Sequence, residues 1–294
     1  MADSLRGGAA VLEHNAVERR AGVTHREFVA EYLHPLKPVI LTDAIDGWRA
    51  RTRWTFDFFA AEYGSRTVAV DGRQYQLSAL IDAVKRSAPG ATAPYLRNLL
   101  IERWAPELLK DIDPLPACTR PNWLDSRFFP GPEALTSVEL YIGGAGAAFP
   151  VLHYDNLHTH AFLMQLEGVK EYIFYPPSAT PFLYPRGGSE ENKSSIDDIE
   201  QPDLNRFPAF RQAVATRCHL HPGETLFVPA GWWHTARILS ASITVSANTA
   251  NAVNWAAFTR DYVASVARHR STWYARMIAA YLTVFSICGQ LVST

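Results

Sequence analysis

Cysteine is scarce in this chain of 294 residues. Cys118, Cys218 and Cys288 are odd in number and far apart, which excludes a disulfide framework and fits a reducing, cytoplasmic setting. An excess of one charge is also lacking. With a formal net charge of -1 and a pI near 6.8, the sequence offers no electrostatic footprint for nucleic acid or an anionic membrane. No apolar run reaches the roughly 20 residues of a membrane span. The longest candidate, Met277–Leu291, is interrupted by Thr283, Ser286, Gly289 and Gln290 and reads as a packing or dimerising helix. Residues 1–14 lack the apolar stretch of a secretory leader, so none is expected.

What is present is apolar and aromatic. Eight Trp, 12 Tyr and 15 Phe point to a β-rich interior rather than a plain helical bundle, in one large domain or two modest ones. Thr24–Glu27 reads as a capping box, Lys37–Leu41 as a short buried strand, and Thr55 as the cap of a helix towards Tyr63. Thr67–Val70 and Arg73–Leu77 flank Asp71-Gly72 as a β-hairpin, and Ser78 is expected to cap a helix through Lys85. Tyr95–Asp113 carries helical spacing around Leu99, Leu100, Trp104 and Leu108, and from Ser137 the period switches to strands. Arg186–Gln201, polar and acidic, is expected to be a surface loop and the best candidate for disorder. These shifts divide the chain into a supporting region of helices and strands (1–136), a strand-rich core (137–250) and C-terminal helices (251–294) that are a candidate dimer interface.

The stretch that organises the sequence is His153-Tyr154-Asp155, an H-x-D pair with a third partner far downstream in His234. Two imidazoles and one carboxylate cap one face of a metal and leave about three positions open, as in non-haem Fe(II) sites. Glu167-Gly168 then reads as a two-residue turn between Thr159–Leu166 and Val169–Tyr175. A hairpin in that register puts Lys170 on one face with Thr159, Leu163, Tyr172 and Phe174, and an unbroken strand adds His153 and Asp155 to it. A lysine in such a set is costly unless an anion meets it, although a sheet-edge lysine with its ammonium in water is the plainer alternative. His158 and His160 fall on the opposite face, as surface or supporting histidines. His219 and His221, beside a Pro-Gly turn, read as strand-end surface residues. The facing of Asn248 is open: a two-residue turn at Ser240-Ala241 sends it outward, and a three-residue turn sets it opposite His234.

Five segments together resemble the JmjC-type, cupin-like 2-oxoglutarate oxygenases, a group that includes the asparaginyl hydroxylase that inhibits hypoxia-inducible factor. They are KPVILTDAIDGW, PYLRNLL, LHYDNLHTHAFLMQLEGVKEYIFYPP, PDLNRFPAF and HPGETLFVPAGWWHTARILSASITVSANT, in the family's order over most of residues 37–249. The resemblance implies a mainly β fold with flanking helices, built on a double-stranded β-helix (jelly-roll) with the metal inside its mouth. It makes His153, Asp155 and His234 ligands of Fe(II), with 2-oxoglutarate and O2 as co-substrates. Lys170 and Tyr95 become partners of the distal carboxylate of 2-oxoglutarate, and Asn248 a contact to the co-substrate or to a ligand. Thr159 stands where relatives often carry Asn, and the Phe149-Pro150 region replaces the usual Ser or Thr before the first ligand. Trp232 and Trp233 are expected to help wall the site. The implied reaction is hydroxylation of a side chain on a protein, peptide or amino acid. Natural-product tailoring by the same mechanism, a metal-dependent cupin enzyme without 2-oxoglutarate, and a non-catalytic sensor are the competing readings. Neither nucleic acid nor membrane is an expected partner.

Overall fold

The computed structural model describes residues 17–90, 93–132 and 135–292. The expectation about a leader in residues 1–14 lies outside them. Twelve strands are described: β1 (Glu18–Arg20), β2 (Val39–Leu41), β3 (Thr67–Val70), β4 (Arg73–Gln76), β5 (Tyr95–Leu100), β6 (Glu139–Gly143), β7 (His160–Glu167), β8 (Lys170–Tyr175), β9 (Thr216–Leu220), β10 (Thr225–Val228), β11 (Trp233–Ile238) and β12 (Ser242–Thr249). A seven-stranded sheet in the order β1-β2-β10-β7-β12-β6-β5 faces a three-stranded sheet, β11-β8-β9, and β3-β4 form a separate hairpin. Only β1 and β2 pair in parallel; the other pairs are antiparallel. The fold is mainly β with flanking helices, a jelly-roll of two facing sheets.

Period two decides what fills each layer. On β7, Phe162, Met164 and Leu166 point outward into a core shared with the helices Phe56–Tyr63 and Leu77–Lys85. Ala161 and Leu163 point inward to meet Tyr172, Phe174, Leu226 and Ala236 between the sheets. A strand buried on both faces reads as a continuous apolar run, which is why β7 lacks a clean alternation in its sequence. A third core, with Ile173, Tyr175, Leu183, Ile196 and Trp233, lies behind the smaller sheet.

Several local expectations hold and others are corrected. Thr24 and Glu27 form the capping box, and Thr55 accepts from the Phe58 amide at 3.1 Å. The helix after β4 starts at Leu77 without a side-chain cap, because the Ser78 amide bonds to the Gly64 carbonyl instead. Tyr95–Leu100 is a strand, not a helix: its backbone groups pair with β6, and tertiary pairing overrides the local spacing. Helical turns begin only at Ile101. Arg186–Gln201 is tied down: Ser194 and Ile196 are buried, and the Ser194 amide donates to the Leu152 carbonyl at 2.8 Å.

The most consequential correction concerns the turn at Glu167-Gly168. Strands β7 and β8 do not pair with each other; β7 lies between β10 and β12, and β8 between β9 and β11. Gly168 is therefore a corner between sheets. Its φ of +72° and a Cβ position only 1.9 Å from the Ala241 carbonyl oxygen leave room for nothing but glycine. Strands β11 and β12 likewise enter different sheets, so neither proposed turn register applies to Asn248. Face parity survives both corrections, because the inward faces of two opposed sheets look into the same space.

The last two helices, Trp255–His269 and Thr272–Val292, pack on each other through Trp255, Phe258, Ile278 and Leu282. No helix among the described residues is long and apolar enough to cross a membrane. Cys118 and Cys218 are free and buried, and burial pushes both thiols up to about 12.

Candidate metal centre

His153, Asp155 and His234 converge, with one ligand-type atom from each lying within 4.8 Å of the others. Two strand ends bring them together. The His153 amide donates to the His234 carbonyl at 3.0 Å and the His234 amide donates back at 2.6 Å, an isolated antiparallel bridge that locks the two imidazoles side by side. The turn Asn156–His158 follows Asp155 immediately, with positive φ at Leu157 (60°) and His158 (48°). That turn breaks the strand that sequence parity assumed, yet Asp155 still reaches the cavity, 4.0 Å from Nε2 of His234.

Each imidazole is oriented from behind. Nδ1 of His153 lies 3.0 Å from the Val151 carbonyl, and Nδ1 of His234 lies 3.0 Å from the Trp232 carbonyl. A carbonyl only accepts, so it fixes the proton on Nδ1 and leaves the Nε2 lone pair for a metal. Burial, and then the neighbouring His234, push His153 down to about 3, so its ring is neutral at physiological pH. Burial raises the Asp155 carboxyl and His234 opposes it. No hydrogen-bond donor occupies the Asp155 carboxylate among the described residues. Two Nε2 atoms aimed at one point and a carboxylate without a donor, fixed at this spacing, suit a divalent first-row metal.

The candidate ligands line one side of a cavity of about 300 Å³ whose walls include Tyr95, Tyr141, Phe149, Thr159, Lys170 and Asn248. Lys170 is 1 % exposed, and among the described residues its Nζ hydrogen-bonds only to the Tyr95 hydroxyl, at 3.1 Å. Burial pushes its ammonium down to about 7, the mark of a cation with no anion beside it. Gly143, paired with Tyr95 across β5 and β6, makes this approach possible: a Cβ there would sit 2.7 Å from Cδ2 of the Tyr95 ring. Asn248 faces inward and donates to the Thr159 hydroxyl at 3.1 Å. Phe149 stacks on the His153 ring at 4.3 Å and 17°, covering that ligand from water.

His153, Asp155, His234, Tyr95, Thr159, Lys170 and Asn248 thus all line this one cavity. The other histidines among the described residues do not. His158 is bound to Asp261 at 2.5 Å, and His219 and His221 are exposed. His160 is wholly buried rather than a surface group, and its Nδ1 accepts from the Ala230 amide at 3.0 Å. Trp232 and Trp233 do not wall the cavity; their indole N–H groups bond the Leu36 carbonyl and the Thr180 hydroxyl. Sequence reasoning missed Glu139 and Tyr141, whose spacing of two on an expected strand was the available signal.

The model of the cupin-like domain matches residues 25–258 of this chain. The chain belongs to the cupin-like domain family. The "Lysine-specific demethylase 8" of Xenopus tropicalis is 32% identical over 233 residues, covering 74% of this chain and 49% of that protein. The human "Bifunctional peptidase and (3S)-lysyl hydroxylase JMJD7" is 28% identical over 268 residues, covering 76% of this chain and 80% of the relative. The human "HSPB1-associated protein 1" is 38% identical over 147 residues, covering 49% and 28%. This cupin-like chain spans about half the length of the demethylase relatives it matches. The matched region contains every strand of the two facing sheets except β1, and all three candidate ligands.

Proposed function

We propose that this protein is an Fe(II)- and 2-oxoglutarate-dependent oxygenase that hydroxylates a C–H bond on a protein, peptide or amino-acid side chain. The observation that carries the reading is Lys170: a buried ammonium with no anion beside it among the described residues, sharing one cavity with a two-histidine, one-carboxylate cluster. A metal-dependent cupin enzyme that does not use 2-oxoglutarate leaves that lysine without a purpose.

In this reading, Nε2 of His153, the Asp155 carboxylate and Nε2 of His234 hold Fe(II). When bound, the metal and 2-oxoglutarate supply an oxidant by coupling O2 reduction to decarboxylation of the co-substrate to succinate. The protein's own residues bind, orient and exclude water. Lys170 neutralises the distal carboxylate of 2-oxoglutarate and Tyr95 donates its hydroxyl to the same group. Burial raises the Tyr95 hydroxyl well above its ordinary value, so it remains a donor throughout the working pH range. Thr159 and Asn248 present a joined hydroxyl and amide on the same wall. Phe149 and Leu163 keep that wall dry, which strengthens each polar contact inside it. Succinate formation from 2-oxoglutarate in the presence of Fe(II) and O2 tests the reading, with Asp155→Ala as the variant that must lose it. Unchanged turnover by that variant would sink the assignment.

A second proposal concerns assembly, on a separate observation. Trp273, Met277, Tyr281 and Val284 form an exposed apolar stripe along the last helix. We propose that a second copy of this chain covers the stripe about a two-fold axis, which makes the C-terminal helices a homodimer interface. Light scattering should show a dimer for the wild type and a monomer for Val284→Glu; two equal masses would refute it.

A further inference from the structure

We infer that Glu139 is a specificity-determining residue, the carboxylate that receives a cationic substrate group, an ammonium or a guanidinium, at the mouth of the metal-centre cavity. This inference rests on the oxygenase reading above and names its substrate class.

Glu139 and Tyr141 alternate inward on β6, and both line the cavity. The Tyr141 hydroxyl donates to Oε2 of Glu139 at 2.6 Å, and the Asn98 amide donates to the same oxygen at 3.0 Å. Both donors hold one oxygen and fix the plane of the carboxylate. Oε1 has no protein partner among the described residues. A backbone irregularity places one of these donors. The β5–β6 register shifts between Leu96 and Leu99, and within that bulge Asn98 adopts φ 55°, a conformation that residues other than glycine take only at a cost. Asn98 is exposed while Lys170 is fully buried, so Glu139 belongs to the open end of the cavity and Lys170 to its floor.

Charge balance then identifies the missing partner. A divalent metal, Asp155, doubly charged 2-oxoglutarate and Lys170 together carry no net charge. Lys193, the other cation on the cavity wall, is already paired with Glu190 at 2.6 Å. Among the described residues Glu139 has no ion-pair partner, and it remains as one uncompensated negative charge in a partly dry site. Burial raises its carboxyl, while Tyr141 and Asn98 hold it back. A substrate cation completes the balance; an acidic side chain would meet repulsion, and a neutral one would leave the charge unpaired.

The test titrates three probes, Nα-acetyl-lysine amide, Nα-acetyl-arginine amide and the neutral Nα-acetyl-norleucine amide, into anaerobic protein holding Mn(II) and 2-oxoglutarate. Wild type should bind one of the cationic probes roughly tenfold or more tighter than the norleucine probe, the scale of a charge-assisted hydrogen bond. Whether lysine or arginine wins separates ammonium from guanidinium. Glu139→Gln should bring the ratio to about one, and Glu139→Asp should restore part of it. If the variants fail to fold, the wild-type ratio and its decline with added salt decide the question. Equal binding of cationic and neutral probes, no binding of any probe, or a ratio that survives in Glu139→Gln would overturn the inference and leave Glu139 a strut between β5 and β6. Binding of 2-oxoglutarate itself is measured in the same samples. If that binding fails in the wild type, the oxygenase reading fails and the charge count falls with it; if it succeeds without cation preference, only the subsite is wrong.

Discussion

Replacing Lys170 by Met should make the empty protein more stable and the co-substrate unable to bind. Burial drops the lysine from 10.5 to about 7, and the side chain is 1 % exposed, so solvent screening takes little away. The folded value lies below the unfolded one. Below about pH 7 the unfolded chain and the folded protein both hold the proton, and the full penalty of burying the charge opposes folding. Between pH 7 and 10.5 the folded protein sheds that proton and the penalty fades as pH rises. The shift corresponds to roughly 4–5 kcal/mol at or below neutrality. Methionine fills a similar volume, loses the Tyr95 hydrogen bond, and removes the charge. The net gain should therefore be a few kcal/mol, about 5 °C or more in Tm at pH 6.5, shrinking towards pH 10. With Mn(II) and 2-oxoglutarate at a hundredfold excess over Kd the gap narrows: wild type gains about 2.7 kcal/mol, and Lys170→Met gains little. Anaerobic thermal denaturation across pH, with and without co-substrate, reads both effects. A variant that is less stable at every pH, yet still stabilised by 2-oxoglutarate like the wild type, would refute the reasoning and make Lys170 a packing residue.

Two further perturbations probe the frame around the site. Gly168→Ala forces a Cβ against the Ala241 carbonyl at a left-handed corner and should cost about 2 kcal/mol or more, read as a lower denaturant midpoint at unchanged m. Asp261→Asn weakens the tie from the helix Trp255–His269 to His158, three residues beyond Asp155, and should cost about 1–3 kcal/mol at neutral pH. Burial would raise the Asp261 carboxyl, but His158 and Arg260 hold it below its ordinary value. Its contribution is accordingly present above pH 4 and lost as pH falls further, so the gap between variant and wild type should close in acid.

The candidate metal ligands were legible in the sequence because their chemistry is local: an H-x-D pair and a later histidine at a strand start. Lys170 was legible because its alternation with Tyr172 and Phe174 holds along one strand, even though the hairpin pairing that also placed it was wrong. The neighbours themselves were not legible. Glu167-Gly168 has the composition of a hairpin turn, and only the sheet pairings show that it turns a corner between sheets. Tyr95–Leu100 has apolar spacing that suits a helix, and pairing with β6 overrides it. Arg186–Gln201 is polar, yet it is ordered by backbone bonds to the segment that carries His153, partners far off in sequence. Glu139 went unseen because a lone acid on a strand normally faces water, and its inward side is set by β6 lying between β5 and β12.

The most direct test of the metal-and-lysine account is anaerobic isothermal titration of 2-oxoglutarate into protein saturated with Mn(II). Stoichiometric binding to the wild type, lost both in Asp155→Ala at the metal end and in Lys170→Met at the carboxylate end, is the expected result. Binding that persists undiminished in either variant, or that is missing from the wild type, would contradict it.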